Sequence, residues 1–130
     1  AQLSKVDSFC EKRREYKKTI QRFIEENIPE VRIINATENS DPSWFGVPIV
    51  CDNQETKEQL VSYFERKRIQ TRNYFAGNIL LHPAYEHLDD YKKYVNANCV
   101  LSKVFFIGCS PLYNDLVLKY IEKVCRKWTK

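Results

Sequence analysis

Two bulky aromatic side chains beside a glycine are the first feature of the sequence that could take part in chemistry. Trp44 and Phe45 directly precede Gly46, within the turn-to-strand segment 41–49. Large flat rings can stack on a nucleotide base or on the flat face of a sugar, and a glycine lets a ligand or a backbone come close. Aromatic residues also fill cores, so packing at the start of a strand explains the same pattern. The sequence leaves both interpretations open.

A second segment, residues 69–78, combines a cation with a glycine-containing loop. Arg72 lies in a predicted strand, and its planar guanidinium could bind a carboxylate or a phosphate through two hydrogen bonds. An ion pair with a neighbouring layer is the alternative role. Asn78 follows Gly77 and could orient a sugar hydroxyl, because an amide both donates and accepts hydrogen bonds. A cap within its own loop is the alternative for Asn78.

Other common catalytic arrangements are absent from the sequence. The two histidines, His82 and His87, have no nearby nucleophile; His82 could be a general base, but a surface or structural role is favoured. There is no glycine-rich phosphate loop and no nucleophile elbow. Asp89 and Asp90 are adjacent, so on a helix their side chains would point apart rather than form a carboxylate pair. Candidate chemistry is therefore confined to the two segments above.

The cysteine pattern argues against a metal site. The chain has five cysteines, an odd number, and they form no C-x-x-C pair and no Cys/His ligand spacing. We therefore expect reduced thiols in a cytoplasmic protein. The cysteines are Cys10, Cys51, Cys99, Cys109 and Cys125.

Length and charge limit the class of protein further. A chain of 130 residues with 43% hydrophobic residues fits one domain with a real core. Its net charge of +4 comes from mixed acids and bases, which favours solvated helix surfaces over a nucleic-acid interface. No apolar run approaches the roughly 20 residues of a membrane helix, and no signal segment opens the chain. We expect neither nucleic acid nor a membrane as a partner.

Four helices are predicted, three of them from apolar residues at helical spacing and one from a polar, tyrosine-rich segment. The first covers residues 3–26 and is stopped by Pro29; the second follows a cap near Asn53 and runs to about residue 68. A third is predicted over residues 86–98. The last begins after Asn114, and its predicted apolar face consists of Val117, Tyr120, Ile121, Val124 and Trp128.

Four segments read as strands, and together with the helices they predict the fold class. They cover residues 31–34, 45–51, 70–75 and 100–109. Pro48 suggests that the second strand is an edge strand or carries a bulge. The order of elements predicts an α+β domain in which helices cover mainly one face of an antiparallel sheet.

The order of motifs along the whole chain resembles one known family. Residues 39–49 resemble the family segment N-S-D-P-S-W-F-G-F-P-I, and residues 70–78 resemble G-T-R-L-L-F-A-G-N. Residues 104–108 correspond to T-F-W-I-G, and residues 1–7 to an opening A-Q-L helix. The chain thus resembles the C-terminal domain of DegT/DnrJ-type PLP/PMP-dependent sugar aminotransferases and dehydratases, particularly the RfbH-like CDP-4-keto-6-deoxyglucose 3-dehydratases of lipopolysaccharide biosynthesis.

The resemblance implies a fold and a set of binding residues. It implies the small C-terminal domain of the aspartate aminotransferase superfamily, with a large cofactor-binding domain upstream of residue 1. The lack of any methionine, even at the start, fits a piece of a longer protein. It also implies which side chains face the substrate: Phe45, Thr71, Arg72, Phe75, Gly77 and Asn78. Trp44 is a further candidate for substrate binding, because its ring could stack on a base or a sugar.

The resemblance also implies the chemistry and the partners. The full-length protein would use PMP or PLP to dehydrate a CDP-4-keto-6-deoxyhexose at carbon 3, as a homodimer that binds a nucleotide-diphosphate sugar. The catalytic base, a lysine in the aminotransferases and a histidine in the dehydratases, would lie upstream. No catalytic residue is therefore assigned in this chain. By itself the chain is expected to be inactive and to bind no cofactor.

Two departures from the family pattern leave the substrate open. Leu81 and Cys99 stand where members often carry arginines, which would weaken recognition of an anion if those arginines contact the diphosphate. A nucleotide-sugar aminotransferase of the same family, and a non-catalytic interaction domain, remain alternatives. The upstream lysine-or-histidine position would separate the two enzymes.

Overall fold

The computed structural model of the chain describes residues 3–129 as one α+β unit. Ala1 and Gln2, which open the predicted A-Q-L motif, lie outside this range. Single 3-10 turns cover Leu3–Lys5, Ile79–Leu81 and Tyr91–Lys93. The other elements are α1 Val6–Asn27, β1 Val31–Ile33, β2 Gly46–Cys51, α2 Gln54–Arg66, β3 Thr71–Asn73, α3 Val95–Lys103, β4 Val104–Gly108 and α4 Asp115–Arg126.

The four strands form one antiparallel sheet in the order β1-β2-β4-β3. The central pair is the longest, and it aligns Val47 with Ile107 and Ile49 with Phe105. On the outer side of β4, Arg72 of β3 stands opposite Phe106. The antiparallel sheet and the α+β class are as the sequence predicted.

The two faces of the sheet have different neighbours. Because side chains alternate along a strand, Val47, Ile49 and Phe105 share one face with the helices. The buried apolar residues of α1, α2 and α4 complete the core on that side; they are Ile20, Phe23, Ile24, Leu60, Phe64, Ile121, Val124 and Cys125. The other face bears Gly46, Pro48, Phe106 and Arg72, and we call it the aromatic face. The predicted one-sided packing of the helices is confirmed.

Pro48 does not mark an edge strand, and that prediction is wrong. β2 is paired on both sides, with β1 and with β4. Pro48 is tolerated because it stands opposite Ile34, just beyond the end of β1. The Ile34 amide donates to the Pro48 carbonyl oxygen at 3.3 Å. Of the two hydrogen bonds that this pair of residues could exchange, only the one donated by residue 48 is lost, because proline has no N–H.

The boundary between the third helix and the last strand also differs from the prediction. The helix starts at Val95, not near residue 86, and continues through Val100 and Leu101, which were assigned to the strand. Residues 86–90 form a non-helical segment of turns and bends instead. The helix persists because Leu101 packs against Gly77 and its carbonyl oxygen accepts a hydrogen bond from Lys57. Contacts distant in sequence thus outweigh the β-propensity of the segment.

Two smaller corrections concern β3 and α4. The strand predicted to reach Phe75 ends at Asn73, because Phe75 adopts a left-handed backbone angle, φ +54°, that cannot continue a strand. In α4, Val117 and Tyr120 are exposed, and Cys125 joins Ile121 and Val124 in the core. The predicted cap at Asn114 is present, and within the predicted cap segment 52–55 the capping residue is Asn53.

Within residues 3–129, no helix is both long and apolar enough to cross a bilayer. In the same range no group of histidine, cysteine and acidic side chains has the arrangement of a metal site.

Candidate functional site

A cluster of aromatic side chains occupies the aromatic face of the sheet. The Phe45 ring meets Phe106 edge-on at 5.4 Å between centroids, and meets Phe75 edge-on at 6.0 Å. Tyr74 lies 5.1 Å from Phe75 and 6.4 Å from Phe106. Phe106 is nearly buried, whereas Phe45 and Phe75 remain 52% and 68% exposed. Two large rings are therefore presented on a fixed aromatic base, which suits stacking against a flat ligand.

Gly46 allows this cluster to form. A β-carbon built on Gly46 would lie 2.4 Å from Cδ2 of Phe106 and 3.0 Å from the carbonyl oxygen of Ile107. The Phe106 ring therefore lies directly over the glycine backbone. The close approach predicted for Gly46 is made by a neighbouring side chain of the same domain.

Phe75 is held in an unusual backbone conformation. Its φ of +54° is uncommon for a bulky residue, and such strain tends to persist at functional positions. The turn after β3 places Phe75 next to Phe45, although the two are 30 positions apart in the sequence. The conformation therefore brings the two candidate segments into contact.

Arg72 shares the aromatic face with these rings. It stands opposite Phe106 in the β3–β4 register, and its side chain is exposed. Within residues 3–129 no ion pair involves Arg72, so the alternative of an ion pair to a neighbouring layer is not seen there. Arg72 also borders a cavity of about 120 Å³ with Gly108 and Tyr113. Tyr113 donates from its hydroxyl to the Gly108 carbonyl at 3.2 Å, and burial raises its pKa.

Thr71 faces away from Arg72. It stands opposite Ile107, whose side chain is in the core on the helix side of the sheet. Its hydroxyl donates to Oε1 of Glu65 at 2.7 Å, and its backbone amide donates to the same oxygen. These two hydrogen bonds lower the pKa of Glu65. Thr71 thus ties β3 to α2.

Gly77 and Asn78 shape the loop that follows β3. Gly77 has φ +64°, and a β-carbon there would lie 2.6 Å from Cδ1 of Leu101. Asn78 is 2% exposed; its amide donates to the Tyr91 carbonyl at 3.1 Å and to Oδ1 of Asn98 at 2.7 Å. Its side-chain oxygen accepts from the Leu80 amide at 3.1 Å. Asn78 therefore caps the 3-10 turn that follows it through Leu80 and ties this loop to Tyr91 and to α3 through Asn98.

Trp44 and Phe45 are separated despite being consecutive. Trp44 contacts α1, where Lys17 Nζ lies 5.0 Å above its ring, and it lines a pocket on that side. Phe45 alone reaches the aromatic face. The structure therefore brings together Phe45, Phe75 and Arg72, and places Trp44 in different surroundings.

The remaining candidate positions lie outside the cluster. His82 is exposed, and its Nε2 lies 3.5 Å from the Ala76 carbonyl oxygen. Leu81 and Cys99, the two departures from the family pattern, are also exposed.

Sequence reasoning missed four residues of these sites. Tyr74 and Phe106 complete the aromatic cluster, and Lys17 and Lys57 are buried cations. Phe106 lies in a predicted strand, and the neighbouring strand contains a glycine. A large ring that packs over a glycine in this way could have indicated the aromatic cluster. The two lysines carry no such signal, because they look like exposed charges on amphipathic helices.

The described residues form a small α+β domain of the PLP-dependent aminotransferase fold, which solved structures share. The DegT/DnrJ/EryC1/StrS aminotransferase family model matches residues 1–129, so the chain belongs to that family.

Two curated relatives match nearly the whole chain. A dTDP-4-dehydro-2,6-dideoxy-D-glucose 3-dehydratase of Saccharopolyspora spinosa is 33% identical over 126 residues, which is 93% of this chain and 27% of the relative. The lipopolysaccharide biosynthesis protein RfbH of Salmonella typhimurium is 29% identical over 133 residues, 98% of this chain and 30% of the relative. The chain therefore spans under a third of the length of these relatives.

Solved structures share the fold at lower identity. S. venezuelae DesV, in complex with a ketimine intermediate, superposes with a TM-score of 0.84 at 17% identity, covering 97% of this chain and 33% of that one. An E. coli GDP-4-keto-6-deoxy-D-mannose-3-dehydratase with bound hydrated PLP gives a TM-score of 0.77 at 21% identity, covering 95% and 32%. These likenesses identify the fold.

Proposed function

We propose that this chain is the small domain of a PLP- or PMP-dependent nucleotide-sugar 3-dehydratase. In this proposal an upstream large domain holds the cofactor, and the whole enzyme is a cytoplasmic homodimer acting on a CDP-4-keto-6-deoxyhexose in O-antigen deoxysugar synthesis. Support comes from the two curated relatives, one named as a sugar 3-dehydratase and one as a lipopolysaccharide biosynthesis protein. Both are much longer than this chain, which leaves room for a further domain.

The aromatic face is the observation that carries the proposal. Phe45 and Phe75 offer exposed rings to the flat face of a sugar or base, and Arg72 beside them offers a cation to a diphosphate. No hydrogen bond or ion pair within residues 3–129 uses the Arg72 guanidinium, so it is free for an anion. In the proposal Thr71, Gly77 and Asn78 hold the strand and loop that present these side chains.

The cofactor would be held mainly by the upstream domain. PLP chemistry in this family needs a lysine, or a histidine in the dehydratases, next to the cofactor, which supplies an electron sink. The two buried lysines do not meet this need, because Lys17 Nζ bonds Gln21 and Lys57 Nζ bonds Leu101. The residues described here fit one wall of a ligand site and not a complete PLP site. No reaction step is therefore assigned to them.

An aminotransferase is the second candidate. The family itself is described as an aminotransferase family, so membership alone leaves transamination open. The two activities leave different products: dehydration removes the 3-hydroxyl and retains a ketone, whereas transamination places an amine on the sugar.

The test uses the full-length protein supplied with PMP and CDP-4-keto-6-deoxyglucose. We expect mass spectrometry to show loss of the 3-hydroxyl. Phe45→Ala and Phe75→Ala should each lower kcat/KM by an amount equivalent to about 1–3 kcal/mol, the usual value of an aromatic stacking contact. Leu112→Ala is the control, because Leu112 is 77% exposed and belongs to neither segment.

Two results would contradict parts of the proposal. An amino sugar as the product would assign the protein to the aminotransferases. Unchanged kcat/KM in both phenylalanine variants would mean that the aromatic face is not the substrate wall, whichever reaction is found.

A further inference from the structure

A second pocket lies between α1 and the loop that precedes β2. Its volume is about 380 Å³, within the range of about 300–1,000 Å³ that is usual for small-molecule sites. Its lining includes four charged side chains and one aromatic ring: Arg14, Lys17, Lys18, Asp41 and Trp44. Neither the family nor the relatives' names assign a role to it.

Lys17 is a buried cation at the base of this pocket. It is 4% exposed, and its Nζ donates to Oε1 of Gln21 at 2.6 Å and to Oδ1 of Asn35 at 3.2 Å. Both acceptors are neutral amides, and the third neighbour is the Trp44 ring at 5.0 Å. Within residues 3–129 no carboxylate pairs with Lys17. Burial lowers its pKa, so a nearby anion would relieve an unfavourable charge.

Arg14 is fixed beside Lys17. Its Nε lies 2.7 Å from Oδ1 of Asp41, and a second guanidinium nitrogen donates to the Asp41 carbonyl oxygen at 3.1 Å. These two contacts restrain Arg14 against Asp41, and within residues 3–129 the guanidinium makes no other hydrogen bond or ion pair. Lys18, the next residue after Lys17, is exposed at the rim. Three cations against one carboxylate leave two positive charges in the pocket.

The charge and the wall composition favour one class of ligand. A phosphomonoester carries a charge of about −1.5 to −2 at neutral pH, which matches the excess of positive charge. Its three oxygens can accept from Arg14 and Lys18 at once. The pocket is larger than a phosphate alone requires, and Trp44 provides a wall for an organic body.

We propose that the pocket formed by Arg14, Lys17, Lys18 and Trp44 binds an organic phosphomonoester. The phosphate lies against Arg14 and Lys18, with Lys17 below it, and the organic part lies along the Trp44 ring. This site is separate from the aromatic face and does not depend on the function proposed for that face.

The test follows Trp44 in the protein labelled with 5-fluorotryptophan. Its ¹⁹F resonance is assigned by its disappearance in Trp44→Phe, and α-glucose 1-phosphate and inorganic phosphate are the probes. We expect a saturable shift of this resonance below about 10 mM glucose 1-phosphate, with inorganic phosphate binding more weakly because it makes no contact with the ring.

Variants of exposed residues avoid the risk that a buried change prevents folding. Lys18→Gln should weaken glucose 1-phosphate by about tenfold or more, as expected for the loss of a charged hydrogen bond. Lys12→Gln is the matched control, because Lys12 is an exposed lysine of the same helix that does not line the pocket. Lys12→Gln should change the affinity for glucose 1-phosphate by less than about twofold, which is the effect expected from a distant charge screened by salt.

Three results would overturn the proposal. The first is the absence of any saturable shift of the Trp44 resonance up to about 10 mM ester. The second is an equal loss of affinity in Lys18→Gln and Lys12→Gln, which would mean diffuse attraction to a basic helix. The third is binding of inorganic phosphate at least as tight as that of the ester, which would exclude a role for the Trp44 wall.

Discussion

The ammonium group of Lys57 in α2 donates a 2.6 Å hydrogen bond to the carbonyl oxygen of Leu101 in the last turn of α3. Carbonyl groups in the last turn of a helix have no partner within the helix, and a cation there also complements the helix dipole. The same ammonium donates to Oδ1 of Asn73 at 3.0 Å, at the end of β3. One buried lysine thus joins α2, α3 and β3, immediately before the turn that presents Phe75.

Replacing Lys57 should destabilise the fold. Lys57→Met keeps the length of the side chain but leaves two acceptors without a donor, so the free energy of unfolding should fall by about 1–3 kcal/mol in urea denaturation. Lys119→Met, at an exposed position of α4, should change it by less than about 0.5 kcal/mol. Faster hydrogen exchange confined to α3 would accompany the loss. An increase in stability in Lys57→Met would show that burial of the charge outweighs its hydrogen bonds.

Gly46 should be the glycine of the sheet least tolerant of a methyl group. In Gly46→Ala the new carbon would lie 2.4 Å from the Phe106 ring, so the ring must leave its place between Phe45 and Tyr74. Overpacking of this kind costs about 1–3 kcal/mol, and the near-ultraviolet circular dichroism should weaken as the cluster is disrupted. Gly108→Ala is the matched control in the paired strand, because only the Tyr113 hydroxyl approaches, at 3.1 Å. Equal losses in both variants would contradict this account.

Arg68 should be replaceable by glycine with a gain in stability. It follows α2 with φ +58°, and the Ile69 amide donates back to the Phe64 carbonyl oxygen at 2.9 Å. This is the helix-ending motif that usually has glycine at the left-handed position. Arg68→Gly should raise the free energy of unfolding by about 0.5–1 kcal/mol. Arg66→Gly, inside the last turn of the helix, should instead lower it by about 1 kcal/mol.

Arg72 should matter for substrate and not for folding. In the full-length protein Arg72→Ala should weaken substrate binding by about 1.5–3 kcal/mol, the value of a charged hydrogen bond, while the unfolding free energy changes by less than about 0.5 kcal/mol. Arg32→Ala is the matched control, because Arg32 is the exposed central residue of β1 on the opposite edge of the same sheet. If Arg72→Ala unfolds the domain and leaves affinity unchanged in the folded remainder, the arginine is structural.

Stability should decline in alkaline solution because three thiols are buried. Burial raises the pKa of Cys51 and of Cys109 from 9.0 to about 11, and that of Cys125 to about 12. Between pH 9 and these values the unfolded chain releases protons that the folded chain retains, so the free energy of unfolding falls as pH rises. Each thiol contributes a slope of up to about 1.4 kcal/mol per pH unit.

The alkaline decline can be assigned to a single thiol. Urea denaturation at several pH values should give a shallower slope above pH 9 in Cys125→Ala than in the parent. Cys99→Ala removes an exposed thiol and should leave the slope unchanged. If the free energy of unfolding of Cys125→Ala falls with pH as steeply as that of the parent, another group titrates in this range.

Local signals in the sequence were enough to predict much of the fold. Asn114 caps α4 as predicted, and α2 is capped within the predicted segment 52–55 by Asn53, since a cap depends only on atoms three residues away. The end of α3 could not be read in this way, because it depends on Lys57, more than 40 positions earlier. The prediction for Pro48 was wrong for a similar reason. The sequence cannot show that β1 ends one residue before the position that would have paired with the N–H group that proline lacks.

The candidate site was predicted in part. The resemblance implied that the segments of Phe45 and Phe75 face the same substrate, and the structure brings these two rings to 6.0 Å of each other. The divergence of Trp44 from Phe45 was not predictable, because the backbone before β2 is irregular and strand alternation does not apply there. Asn78 illustrates the same limit, since its partners Tyr91 and Asn98 lie in a segment whose folded path no local pattern defines.

The two outermost strands of the sheet are alike in a way that affects self-association. β1 and β3 have three residues each, and each has an exposed arginine at its centre, Arg32 and Arg72. A short edge bearing a positive charge offers a second chain little backbone to pair with, and it repels a like-charged edge. The sheet is thus protected at both sides against growing by strand addition, and arginine at the centre of β3 would serve solubility as well as any ligand.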